Sequence, residues 1–237
     1  MNVLCSKRDA VIIMKLEIDK LIRSKRRSIG LEINDKAELI IRAPRFATNK
    51  QIEQAVESRR NWIEQKQKLI RNKYSNYKPK MFVEGEEFLY LWEKYPLSFA
   101  DDEQLIFQFD EGFILSRKWE IKARPLFIYW YKQEAKRIIS SRVKQYAGNY
   151  GFNYGEIKIT NARKRWGSCT GKNNLNFTWR LVLAPLQIID SVVIHELVHT
   201  KIKNHSKKFW SEVYKIMPEY PLHNKWLKEN GHLLNLD

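Results

Sequence analysis

Cysteine is nearly absent. The 237 residues contain two, Cys5 and Cys169, far apart and in no Cys-x-x-Cys pairing. That excludes a disulfide framework and a thiolate zinc cage, and it fits a reducing cytoplasm. Long apolar runs are missing too. Nowhere do about eighteen uncharged apolar residues follow one another, so no membrane-spanning helix is expected. The short apolar run at 11–14 is interrupted by Lys15 and Glu17 with no small-residue cleavage site after it, so no signal peptide is expected. Internal repeats and low-complexity tracts do not occur.

Charge, by contrast, is abundant and unevenly spread. The net value is +16, made of +11 over residues 1–80, −8 over 81–116 and +13 over 117–237. Two basic flanks attract polyanions such as nucleic acid, nucleotides or acidic peptides. A solvated lysine-rich surface would have the same composition, and neither an Arg/Gly repeat nor a recognisable nucleic-acid module accompanies the charge. Nucleic acid therefore stands as a candidate partner on charge alone, and oligomeric state is not legible.

Periodicity divides the chain into residues 1–116, a β-rich region with one helix, and residues 117–237, a mainly helical region with a small sheet. In "SIGLEINDKAELIIRAP" Ile29, Leu31 and Ile33 alternate, Asn34-Asp35 can turn, and Leu39 and Ile41 alternate again, which predicts a hairpin. Thr48 and Gln51 have capping-box spacing before a helix whose face carries Ile52, Val56, Arg59, Trp62, Ile63, Lys66 and Ile70. "EEFLYLWEKY", "LSFA", "QLIFQF" and "GFILS" read as short strands, with "DEG" at 110–112 as a turn. Pro125 can open a long helix that Gly148 and Gly151 end. Three short strands follow, in "EIKIT", around "RKRWGSC" and in "NLNFTW", before Pro185 opens another helix. Two further helices are expected over 206–217 and 222–229. The fold class is α+β.

That helix holds the densest chemistry in the chain. "VVIHELVHTKIKNHSKKFW" places three of the five histidines within eleven positions. His195 and His199, four apart, project from one helical face about one turn apart, which suits two ligands of a single ion. Glu196 is rotated from His195 by about 100°, so it suits a general base acting on a water at the ion rather than a ligand. His205 demands more. Ten residues of straight helix would carry it roughly 15 Å from His195, whereas ligand nitrogens lie about 2 Å from zinc. The chain must reverse after Ile202, with Asn204 tolerant of left-handed backbone and Ser206 able to cap a new helix. Three imidazoles would leave a fourth position open, as in catalytic Zn2+ sites.

"RWGSC", "WRLVLAP", "VVIHELVH" and "NHSKKFW", in that order, resemble the YgjP-like metallopeptidase family, a branch of the zincin-like metal-dependent hydrolases related in motif to the SprT group. "RRSIGLEI", "LIIRAP", "NWIEQK" and "IYWYKQEA" extend the resemblance over nearly the whole chain. It implies a zincin-like catalytic domain preceded by a β-rich N-terminal region, zinc held at His195, His199 and His205, and Glu196 as the catalytic carboxylate. Thr178 and Lys207 depart from the Asn and Pro of many relatives, but neither is a ligand position.

Other residues are weighed beside this set. Arg165 and Trp166 are candidates to face substrate, since zincins lay substrate along an edge strand and a guanidinium pairs with anionic groups. Cys169 reads as a small buried residue rather than a nucleophile. His223 and His232 read as surface residues, although either of them, or Tyr220, could supply the second electrophile that zinc hydrolases need. Trp62, Trp130 and Trp210 are expected in the core. Three functions remain: a zinc-dependent metallopeptidase, a zinc-dependent nucleoside triphosphate pyrophosphatase, and a nucleic-acid-associated metalloprotein.

Overall fold

In the computed structural model, which describes residues 17–34, 36–74 and 79–236, the alternation at Leu39, Ile41 and Ala43 becomes the central strand of the first unit. Strand β1 (Lys20–Ser24) pairs parallel with β3 (Leu39–Pro44). Strand β2 (Gly30–Ile33) pairs antiparallel with β3, Ile33 opposite Leu39. This is the expected hairpin. Of its expected turn pair, Asp35 lies outside the described residues, and Asn34 organises the reversal: its Oδ1 accepts from the N–H groups of Lys36 at 3.0 Å and Glu38 at 2.9 Å. β1 escaped sequence reading because four of its five residues are exposed, so no alternation marks it.

The capping box at Thr48 and Gln51 is present at the start of α1 (Asn49–Glu57). The single helix expected after it is instead two, the second being α2 (Arg60–Tyr74). At the break Arg59 donates three residues back to the Val56 carbonyl, and the Ser58 hydroxyl takes the Ala55 carbonyl. The restart rotates the buried face. Ile63 is buried with Ile52 and Val56 against β3, whereas Arg59 and Lys66 are exposed and Trp62 is 44% exposed. Trp62 is therefore not a core residue.

By its contacts the chain packs as two units, residues 1–78 and 79–237. The boundary expected at 116/117 falls inside the second. The reason is burial. Strands β4 (Glu87–Tyr90), β5 (Glu93–Ala100), β6 (Phe107–Asp110) and β7 (Gly112–Ser116) form a sheet of order β4-β5-β7-β6. Its Phe88, Leu97, Phe113 and Leu115 share one core with the helices that follow. Phe88 and Phe127 pack as tilted rings with centroids 4.3 Å apart, Phe113 and Phe127 likewise at 4.7 Å.

Phe127 belongs to α3 (Ala123–Tyr150), which buries Tyr131, Ala135, Ile139 and Val143 in the same core. Gly148 lies within this helix, and Gly151 alone ends it, with φ +63° and its N–H on the Ala147 carbonyl. A three-stranded sheet follows, from β8 (Ile157–Thr160), β9 (Gly167–Cys169) and β10 (Leu175–Thr178). Its order is β8-β10-β9, with β8 parallel and β9 antiparallel to β10. Among the described residues one edge of β9 is thus unpaired. Helices α4 (Leu186–Lys201), α5 (Lys207–Ile216) and α6 (Tyr220–Asn230) complete an α+β architecture. Among the described residues no helix is long and apolar enough to cross a membrane.

Candidate metal centre

Helix α4 is buried along most of its length, with Ile189, Val193, Leu197 and Val198 in the core. Its remaining face carries His195 and His199, whose rings lie 4.9 Å apart. The helix ends at Lys201, and Ile202 is extended at φ −129°. This turns the Ile202 carbonyl toward His199, whose Nδ1 lies 3.0 Å from it. The reversal takes no left-handed residue: Asn204 is not among the positions of positive φ, and its Oδ1 instead accepts the Ser206 N–H at 3.3 Å. Ser206 stands at the start of α5 without a side-chain capping bond.

The outcome is convergence. His205 Nε2 lies 3.1 Å from His195 Nε2 and 3.1 Å from His199 Nε2, and the candidate donor atoms lie within 4.8 Å of one another. Buried Phe209 lies against all three rings at 5.0, 4.4 and 4.8 Å between centroids. Trp210 stacks on His205 at 5.5 Å. Tyr220 Oη lies 2.9 Å from His195 Nδ1, so this hydroxyl orients a ring of the trio. Burial pushes the His195 imidazole down to about 3, helped by its two neighbouring imidazoles, and burial lowers His199 as well. Neutral rings are the form in which histidine donates a lone pair to a metal.

Glu196 is 5% exposed. Burial pushes its carboxyl up to about 8, against the pull of the Arg165 guanidinium. Its Oε2 is buried with no hydrogen-bond partner among the described residues. An orphaned buried oxygen costs about 1–3 kcal/mol, the cost expected where a carboxylate is kept for a partner such as a water or an ion's ligand shell. Residue 167 comes so close to it that a Cβ there would stand 2.6 Å from Glu196 Cγ. Only glycine lets β9 lie against this carboxylate. The donor set therefore fits a divalent metal ion with a carboxylate beside it.

Of the other expectations, Arg165 is exposed and close enough to act on Glu196. Trp166 is half-buried, with its ring against Gly231. Cys169, half-buried at the end of β9, accepts from Lys203 Nζ at 3.6 Å, and burial raises its thiol. His223 and His232 are half-buried rather than on the surface, and neither joins the trio. Trp130 and Trp210 pack against the core, partly buried. Sequence reading missed the contact of Gly167 with Glu196, although the glycine in "RWGSC" was a visible signal, and it missed the platform at Phe209.

The family described as YgjP-like, metallopeptidase domain, matches residues 27–230. Among solved structures, the metallopeptidase zymogen of Methanocaldococcus jannaschii jannalysin is similar. It has 23% identity and a TM-score of 0.33, over 37% of this chain and 93% of that one. No curated protein matches. A match that runs from just before β2 to the last residue of α6 makes this chain a member of the YgjP-like metallopeptidase family, and so a metal-dependent hydrolase.

Proposed function

We propose that the protein is a zinc-dependent peptidase in which His195, His199 and His205 hold the ion and Glu196 is the general base. The convergence of three Nε2 atoms beside the unpartnered Glu196 Oε2 carries this reading. A zinc ion held there would lower the pKa of water toward about 7 and polarise the scissile carbonyl. The chain's own groups do the rest. His199 Nδ1–H donates to the Ile202 carbonyl, which leaves the Nε2 lone pair for the ion and fixes the ring. His195 is held in the same way by Tyr220. Glu196 Oε2 takes a proton from water and passes it to the leaving amine.

A peptide suits this site better than a nucleotide, because β9 is an edge strand of its sheet among the described residues and its Gly167 lies against the Glu196 carboxylate. An unpaired strand edge recognises extended backbone through alternating N–H and C=O groups. The nucleic-acid reading rests on charge alone. A sequence with two cysteines in no Cys-x-x-Cys pairing suits a reducing cytoplasm.

Metal analysis and parallel hydrolysis assays on an unfolded protein and on nucleoside triphosphates test the reading. One zinc per chain is expected, with peptide hydrolysis that Glu196→Gln abolishes while zinc is retained. Hydrolysis at the parental rate in purified Glu196→Gln, or of triphosphates alone, overturns it.

A further inference from the structure

Successive residues of β9 face opposite sides of its sheet. Gly167 faces α4 and the Glu196 carboxylate. Ser168 faces the other way, into a cavity of about 170 Å³ whose lining includes Thr160, Arg165, Trp166, Asn176 and Thr178 and reaches the Gly167 backbone. That is room for about five waters, or for one small polar side chain. Among the described residues Arg165 is the single charged group on the cavity wall.

The other polar groups are largely committed to the sheet. Thr178 Oγ1 donates to the Ala162 carbonyl at 2.8 Å, and Thr160 Oγ1 to the Phe177 carbonyl at 3.2 Å. Asn176 Nδ2 donates to Ser168 Oγ at 3.3 Å, which leaves the Ser168 hydroxyl hydrogen to donate into the cavity. The Arg165 guanidinium acts on the Glu196 carboxyl through its charge, and no hydrogen bond or ion pair to another described residue occupies its N–H groups. Donors therefore outnumber acceptors on this wall.

A peptide that extends the sheet at β9 turns alternate side chains to its two faces. Those facing α4 meet the candidate metal centre, and those between them meet this cavity. We infer that the cavity is a specificity pocket for the carboxylate side chain of an aspartate or glutamate next to the scissile bond, with Arg165 as its ion-pairing partner. This rests on the peptidase reading above. A guanidinium and a hydroxyl donor match a carboxylate with charge-assisted hydrogen bonds. The +13 charge of residues 117–237 draws acidic segments toward the same unit. An amide in place of the carboxylate keeps the shape and loses the charge.

The zinc-loaded protein is tested on a library of C-terminally amidated peptides, with cut positions read by mass spectrometry. Acidic residues should be enriched about tenfold beside the cut, the size of one charge-assisted hydrogen bond. Arg165→Gln should abolish the enrichment, and Arg165→Glu should replace it with lysine and arginine. Cleavage with no acidic enrichment, or enrichment that survives Arg165→Gln, overturns the pocket and leaves the peptidase reading standing.

Absence of any cleavage that Glu196→Gln removes overturns the peptidase reading instead. The pocket is then judged by binding alone, through fluorescence anisotropy on metal-free Glu196→Gln protein. A glutamate peptide should bind about tenfold tighter than its glutamine twin, and Arg165→Gln should erase the difference; equal binding overturns the pocket. A glutamine peptide that binds as tightly once its C-terminus is left free would show that the cavity takes a chain end, which overturns the side-chain assignment.

Discussion

Replacing Gly167 with alanine tests whether the position of the Glu196 carboxylate governs activity. The new methyl would stand 2.6 Å from Glu196 Cγ, 2.6 Å from Oε1 and 2.9 Å from Cδ. That is about 1 Å inside ordinary carbon contact. Gly167 has no positive φ, so alanine carries no backbone penalty there, and the whole effect falls on the contact. Glu196 sits on a helix packed on its other faces by Val193, Leu197 and Val198, which leaves its side chain as the part able to move. A displacement of about 1 Å in a positioned catalytic group costs about 100-fold in rate, and overpacking costs roughly 1–3 kcal/mol of stability. The variant should keep one zinc per chain, since no histidine is touched. Its melting temperature should fall by several degrees, and peptide kcat/KM should drop about 100-fold. Gly148→Ala is the control: it lies in α3 with nothing within 4 Å of the added methyl, and it should gain up to about 1 kcal/mol with unchanged rate. Zinc-loaded Gly167→Ala within twofold of the parental rate would refute the argument, because the carboxylate would then tolerate being moved.

Three further outcomes follow from the contacts. Tyr220→Phe removes the hydroxyl from His195 Nδ1 and should weaken zinc binding about 10- to 100-fold, measured by competition with a chromophoric chelator. Asp190→Ala leaves Arg142 without the carboxylate that bridges α3 to α4, bonded at 2.5 Å to both Nε and Nη2. Breaking this largely buried pair should cost about 3 kcal/mol in urea unfolding. Alkali should destabilise the second unit through its buried phenols. Burial, with the Glu134 hydrogen bond, pushes Tyr90 up to about 12, and burial holds Tyr131 well above its ordinary value. Each raised phenol contributes stability that is complete below the unfolded value of about 10 and lost as pH rises through the folded value. The urea midpoint should therefore fall between about pH 10 and 12, and Tyr90→Phe should flatten part of that fall.

Where local chemistry agreed with the fold, the elements were legible: the β2–β3 hairpin with its Asn34 turn, the Thr48 capping box, and the Gly151 stop. Where long-range contact overrode it, they were not. "EEFLYLWEKY" reads as one strand, yet it folds into two with Leu91 and Trp92 at the turn, at φ 51° and 74°. A two-residue turn with both central φ positive ordinarily announces itself as Asn-Gly. Here the Leu91 N–H donates to the Val182 carbonyl at 2.8 Å, and Trp92 packs edge-on to Trp226 at 4.7 Å. The strain is offset by partners far along the chain, which no window of sequence displays. The same holds for the expected break at 116/117. Composition changes there, but Phe88, Leu97 and Phe113 share a core with Phe127 and Tyr131, and unit boundaries follow cores rather than composition.

The candidate site divides along the same line. Its donor set lies in one stretch of eleven residues because helical period and a single reversal suffice to gather three imidazoles, and both can be read from spacing. The manner of the reversal could not be read: an extended Ile202 and an Asn204 side-chain bond do the work assigned to left-handed backbone. What holds the donors comes from elsewhere, with Tyr220 from α6 fixing one ring, Phe209 from α5 supporting all three, and Gly167 letting β9 lie against Glu196. A metal motif can therefore announce itself locally while the groups that position it stay silent, because Tyr220 and Gly167 lie on elements the motif does not contain.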